Sequence, residues 1–252
     1  MSNFIEPLKN LQKLDLNLSK WSKISANFIN LLKDLLINEF KLDIVLKRPV
    51  TFVILGHILK NLEGLQSLTL RARCSLVIGS EVQECFASFF DQLSQLKCLH
   101  KLKLYFLGES NLVPRPIRFL SYLTKCIENC PNIRALSFRT YQKGNAKDWT
   151  ELIKALKPKA SRLKLLRLDF AHVKLQEEAF IELASLLQAM GNLKTLGLHA
   201  LWSNSKEWFD TLADNIAPLP NLQYLKMHNL GGIVYKSGLA KFLTLSLRGI
   251  FP

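Results

Sequence analysis

Cys98 and His100 stand two residues apart, a thiol and an imidazole close enough to serve one metal ion. Zinc takes four ligands, and structural sites draw them from paired motifs. No second pair lies nearby. Cys126 and Cys130 are one helical turn apart and could share a face, with Cys126 beside an apolar stripe. Buried or half-buried thiols are the expected state of such cysteines, not a metal centre. The histidines His57, His100, His172, His199 and His228 are dispersed. A nucleophile, base and orienting acid can be assembled from distant positions, but no G-x-S-x-G elbow, G-x-x-x-x-G-K-[ST] loop or G-x-G-x-x-G turn occurs. Glu177-Glu178 reads as an acid pair that a helix dipole stabilises, and Gly231-Gly232 as a turn. The expectation is a chain that is not an enzyme, with no metal, cofactor or small-molecule substrate.

Charge offers more. The 252 residues carry 34 Lys+Arg against 20 Asp+Glu, a net charge of +14. Such a balance favours acidic partners: nucleic acid, acidic proteins or anionic membrane surfaces. The plain alternative is a solvated basic surface with no dedicated ligand. Hydrophobic residues make up 48% of the chain, ample for a core and unlike a disordered protein. Five cysteines at irregular spacing are not a secreted disulfide framework. The first twenty residues lack the apolar run of a signal peptide. The most apolar stretch, residues 50–59, is half the length a bilayer span needs and contains His57. Asn17-Leu18-Ser19 spells a glycosylation sequon but falls on a predicted strand. These features read as a soluble intracellular protein without membrane insertion.

The elements that must carry this charge repeat. L-x-x-L-x-L, with Ile, Phe or Met as stand-ins, occurs at Leu11-Leu14-Leu16, Leu65-Leu68-Leu70, Leu99-Leu102-Leu104, Ile133-Leu136-Phe138, Leu163-Leu166-Leu168, Leu193-Leu196-Leu198 and Leu222-Leu225-Met227. From Leu65 onward the steps are 34, 34, 30, 30 and 29 residues. Alternate apolar residues have the two-residue period of a short strand. After each strand a segment with helical spacing follows. Helices are predicted over residues 80–95, 116–129, 147–156, 176–190 and 206–216, and two more over 22–36 and 49–62. Leu42-Asp43-Ile44-Val45-Leu46 reads as the strand of a degenerate repeat, and residues 242–247 as a terminal strand after a short helix or turn near 235–241. A unit of this size cannot bury its own apolar face. Neighbours must stack on it, with strands in a parallel sheet and right-handed crossovers.

Leu163-x-x-Leu166-x-Leu168 with the helix behind it, and its neighbour at Leu193, resemble the leucine-rich repeat family. The long period and full helices are most similar to its ribonuclease-inhibitor-like subclass. The resemblance covers roughly residues 8–247. It implies an α/β solenoid, a horseshoe with parallel strands on the concave face and helices on the convex face, built as a single domain over 1–252 of about eight repeats. One feature departs from the family. Asn or Cys is expected three residues after the last Leu, and here those positions are Ser19, Arg73, Leu107, Tyr141, Ala171, Leu201 and Leu230. The Asn ladder is missing, so irregular turns and uneven curvature are expected. The first strand begins near Met1, so a minimal N-terminal cap is expected, its apolar end covered by a partner. A ubiquitin-ligase adaptor, a role this fold often implies, would need a helical docking segment ahead of that strand.

In such a solenoid the non-Leu strand positions build the inner face. They include Lys13, Asp15, Asn17, Arg71, Arg73, Lys101, Lys103, Tyr105, Arg139, Tyr141, Arg167, Asp169, His199, Tyr224, Lys226 and His228. On this reading only Asp15 and Asp169 oppose the cations, while Glu81, Glu84, Asp148, Glu151, Glu177, Glu178 and Glu207 fall near helix starts. The expected partner-binding set is Arg71, Arg73, Lys101, Lys103, Tyr105, Arg139, Tyr141, Arg167, His199, Tyr224 and Lys226. A basic face with interleaved tyrosines anchors an acidic protein or stacks bases and binds phosphates. The first reading, a scaffold or interaction subunit of a larger assembly, leads; an RNA-contacting component of a ribonucleoprotein is the alternative. Lys and Arg that only keep the face soluble are the bland alternative. Leu201-Trp202 is an apolar loop pair, satellite core if packed and a contact patch if exposed.

Overall fold

A computed structural model describes residues 10–18, 32, 35–46, 50–74, 80–108, 119–140, 145–170, 175–200 and 206–228. Strands β1 (Lys13–Leu18), β2 (Glu39–Leu46), β3 (Ser67–Cys74), β4 (Lys101–Gly108), β5 (Ala135–Thr140), β6 (Leu165–Phe170), β7 (Thr195–Ala200) and β8 (Tyr224–His228) form one sheet in sequence order. Every pairing is parallel. Between them lie α1 (Val50–Lys60), α2 (Ser80–Ser94), α3 (Phe119–Asn129), α4 (Ala146–Leu156), α5 (Glu177–Gln188) and α6 (Lys206–Ile216). Each helix packs on the next. With strands in sequential order and each helix packed on the next, the helices cover one face of the sheet and leave the other open, as crossovers of one hand require.

The leucine motif explains the register. Leu14, Phe40, Leu68, Leu102, Leu136, Leu166, Leu196 and Leu225 align across the sheet. So do Leu16, Leu42, Leu70, Leu104, Phe138, Leu168, Leu198 and Met227. Both rows face the helices, and a one-residue slip would turn every member to the open face. The helices answer with Trp149, Leu152, Ile153 and Leu156 on α4, and Ala179, Leu183, Leu186 and Leu187 on α5, all buried. A single cluster of buried apolar residues runs from Leu18 to Leu225. In mid-stack the filling is aromatic: Phe106 and Phe119 lie 4.2 Å apart, Phe86 and Phe119 4.5 Å, and Phe138 and Trp149 5.8 Å.

Element ends follow local chemistry. Asn145 caps α4, its side chain accepting from the Lys147 backbone N–H at 3.1 Å. Pro158 turns the chain after α4 into a 3₁₀ segment, Lys157–Arg162, absent from the sequence reading. Helix α5 stops at Gln188 and α2 at Ser94, slightly short of the predicted ends, because the last turns tighten. Strand β2 begins at Glu39, three residues earlier than predicted, since Glu39-Phe40-Lys41 continues the alternation. The predicted helix over 22–36 (save Leu32, Leu35 and Leu36), the start of the 116–129 helix, the loop at Leu201-Trp202, the turn at Gly231-Gly232 and the segments at 235–241 and 242–247 lie outside the described residues. Among the described residues no helix is long and apolar enough to cross a membrane.

The turns that lead into the strands hold a ladder of their own. Asn132 donates its side-chain N–H to the Lys97 carbonyl at 2.8 Å, Asn192 to Ser161 at 2.7 Å and Asn221 to Gly191 at 2.7 Å. Arg162 fills the corresponding position and reaches the Pro131 carbonyl at 3.3 Å. These bonds tie each turn to the one before it. They stand ahead of the strand, where the family resemblance puts its ladder behind.

Candidate functional site

The open face of the sheet is a grid. One row runs Lys13, Glu39, Ser67, Lys101, Ala135, Leu165, Thr195, Tyr224. The next runs Asp15, Lys41, Thr69, Lys103, Ser137, Arg167, Gly197, Lys226. A third takes Asn17, Asp43, Arg71, Tyr105 and Arg139, and continues through Asp169, His199 and His228. The parallel register thus brings ten of the eleven expected partner-binding residues onto one face; Tyr141 lies outside the described residues.

The charge is unevenly spread. At the β1–β2 end Lys13 meets Glu39 at 3.5 Å and Lys41 meets Asp15 at 2.5 Å, with Asp43 beside them. The expectation that only Asp15 and Asp169 oppose the cations is corrected here, because β2 adds Glu39 and Asp43. Exposed pairs of this kind contribute little to stability, about 0–1 kcal/mol, but they cancel the local field. From β3 to β8 the balance changes. Among the described residues Arg71, Arg73, Lys101, Lys103, Arg167 and Lys226 have no carboxylate within ion-pair distance. Partial burial, then the like charges of Lys101, Arg167 and Arg71, hold the Lys103 ammonium below its ordinary pKa.

Two cations sit on tyrosine rings: Arg71 over Tyr105, 5.6 Å from the ring centre, and Arg167 over Tyr224, 5.5 Å away. Arg139 is different. Its Nε lies 3.0 Å from Asp169 Oδ2, and His199 Nδ1 lies 3.0 Å from the same oxygen. Asp169 is buried, so Arg139 balances a carboxylate the fold cannot leave alone.

Gly197 shapes the centre. A Cβ there would lie 2.8 Å from Arg167 Cγ, so only a residue without a side chain lets the Arg167 stem cross the neighbouring strand. A hollow of about 350 Å³ opens beside it, lined by Tyr105, Ser137, Arg139, Arg167, Asp169, Gly197, His199 and Lys226. Phe138, Leu168 and Leu198 complete the lining from the sheet itself, their side chains being buried on the helix side. The Ser137 hydroxyl lies 3.3 Å from that of Tyr105. The arrangement suits capture of an anion. Listing the non-Leu positions found the residues but not their pairing. Arg139, Asp169 and His199 each directly follow the last apolar residue of their motif, a shared phase that marks them as neighbours.

The cysteines lie elsewhere. Cys98 is an exposed free thiol. Cys126 and Cys130 are buried; a hydrogen bond to Cys130, together with burial, pushes the Cys126 thiol well above its ordinary pKa. Among the described residues no three His, Cys, Asp or Glu side chains gather as a metal site would need. Comparison of the chain with protein-family models and with curated proteins finds no match in either.

Proposed function

We propose that this chain is a non-catalytic interaction module of the leucine-rich-repeat kind, closest to the ribonuclease-inhibitor-like subclass. In this reading the stack curves into a horseshoe, because helices are wider than strands, and the open sheet face is its concave wall. The wall docks an acidic protein partner within a larger intracellular assembly. The observation that carries the reading is the run of six cations from β3 to β8 without ion-pair partners among the described residues. Like charges on a rigid sheet repel, and the fold tolerates this where an opposite charge is to be bound. Rigid strands lose little entropy on docking.

An RNA partner would use free ring faces for base stacking. Tyr105 and Tyr224 each already carry a guanidinium over the ring, which favours a polypeptide. Salt titration separates the two. Binding of a poly-glutamate peptide and of poly-uridylate to the full chain is measured over rising salt. The proposal expects the peptide to bind more tightly at moderate salt. Tighter binding of poly-uridylate, with a log–log salt slope of several phosphates, would instead establish the RNA reading.

A further inference from the structure

The hollow beside Gly197 goes a step further than a basic wall, and its meaning rests on the reading above. Three observations converge there. Arg167 is the middle cation of its row: Lys103 and Lys226 lie on either side of it, each two strands away. Among the described residues its buried Nε has no hydrogen-bond acceptor and its guanidinium no carboxylate within ion-pair distance. Nearby Arg139 is already committed to Asp169 at 3.0 Å. The net charge left in the hollow is therefore supplied by Arg167 and Lys226.

We propose that this hollow seats one glutamate or aspartate side chain of the partner polypeptide, with Arg167 as the pairing cation, Lys226 as the flanking one and Gly197 as the residue that keeps the seat open. A planar carboxylate matches a guanidinium fork better than a lone ammonium. Asp169 on the wall admits a singly charged group more readily than a dianion. An alanine at 197 would push Arg167 off its path over the strand, because the clash is with Cγ, near the root of the side chain and not at its mobile end.

The test measures Kd of a poly-glutamate peptide for the full chain and for the variants Arg167→Gln, Gly197→Ala and Arg73→Gln, with circular dichroism as the check on folding. Arg73 carries the same charge on the same face, outside the lining of the hollow. The proposal expects roughly tenfold weaker binding for Arg167→Gln and for Gly197→Ala, as for an interface anchor, against less than about threefold for Arg73→Gln. Should Gly197→Ala fail to fold, Arg167→Gln against Arg73→Gln decides. Equal losses for these two overturn the seat and leave the basic wall standing. Failure of the unaltered chain to bind the peptide overturns both.

Discussion

Asp169 is the most consequential polar residue on the open face. It is buried and shared between Arg139 and His199 at 3.0 Å each. Asp169→Asn keeps the shape and removes the charge, so Arg139 loses its partner. A cost of about 1–2 kcal/mol is expected, below that of a fully buried pair because Arg139 is half exposed, read as a lower urea midpoint. Lys103 behaves in the opposite sense. Its pKa is lower in the folded chain than in the unfolded one, so its charged form destabilises the fold at neutral pH. Lys103→Met should raise Tm while weakening poly-glutamate binding. The unfolded state holds its proton to higher pH, so the native chain gains stability as pH rises into the range just below the ordinary lysine value. The Tm gap between Lys103→Met and the native chain should narrow there; a gap that widens would refute the assigned cause.

The elements were readable where a single period governs them. Leu166 and Leu168 announce β6 because alternate residues must face one core, and Trp149, Leu152, Ile153 and Leu156 announce α4 for the corresponding reason. What escaped depended on contacts between repeats. Glu39 was missed as the start of β2 because a charged residue opens no apolar pattern; its strand partner Ser67 fixes it. Asn132, Asn192 and Asn221 each precede the first apolar residue of their motif, a signal present in the sequence at a position other than the one the family resemblance directs attention to. The hollow was illegible because Gly197 reads as a gap in the grid until Arg167 is seen to cross it. The ladder carries its own prediction. Asn192→Ala, which loses the bond to the Ser161 carbonyl, should cost about 0.5–1 kcal/mol and raise amide hydrogen exchange in the turns on both sides.

Across the whole molecule, a stack makes stability a sum of neighbour interfaces. Leu166 is fully buried near the middle of its row, against Leu136 and Leu196. Leu166→Asp places a carboxylate with no partner in that core, a loss of more than about 4 kcal/mol. Exchange protection should fall in β5, β6 and β7 together; a folded, fully protected variant would contradict the register. The same stacking turns scattered Lys and Arg residues into one field. Its direct test is the triple reversal Arg71→Glu, Lys103→Glu and Arg167→Glu, three open-face positions that lack ion-pair partners among the described residues. Calorimetric titration with poly-glutamate should show binding by the native chain and none by the folded triple variant. Undiminished binding by that variant would contradict the account.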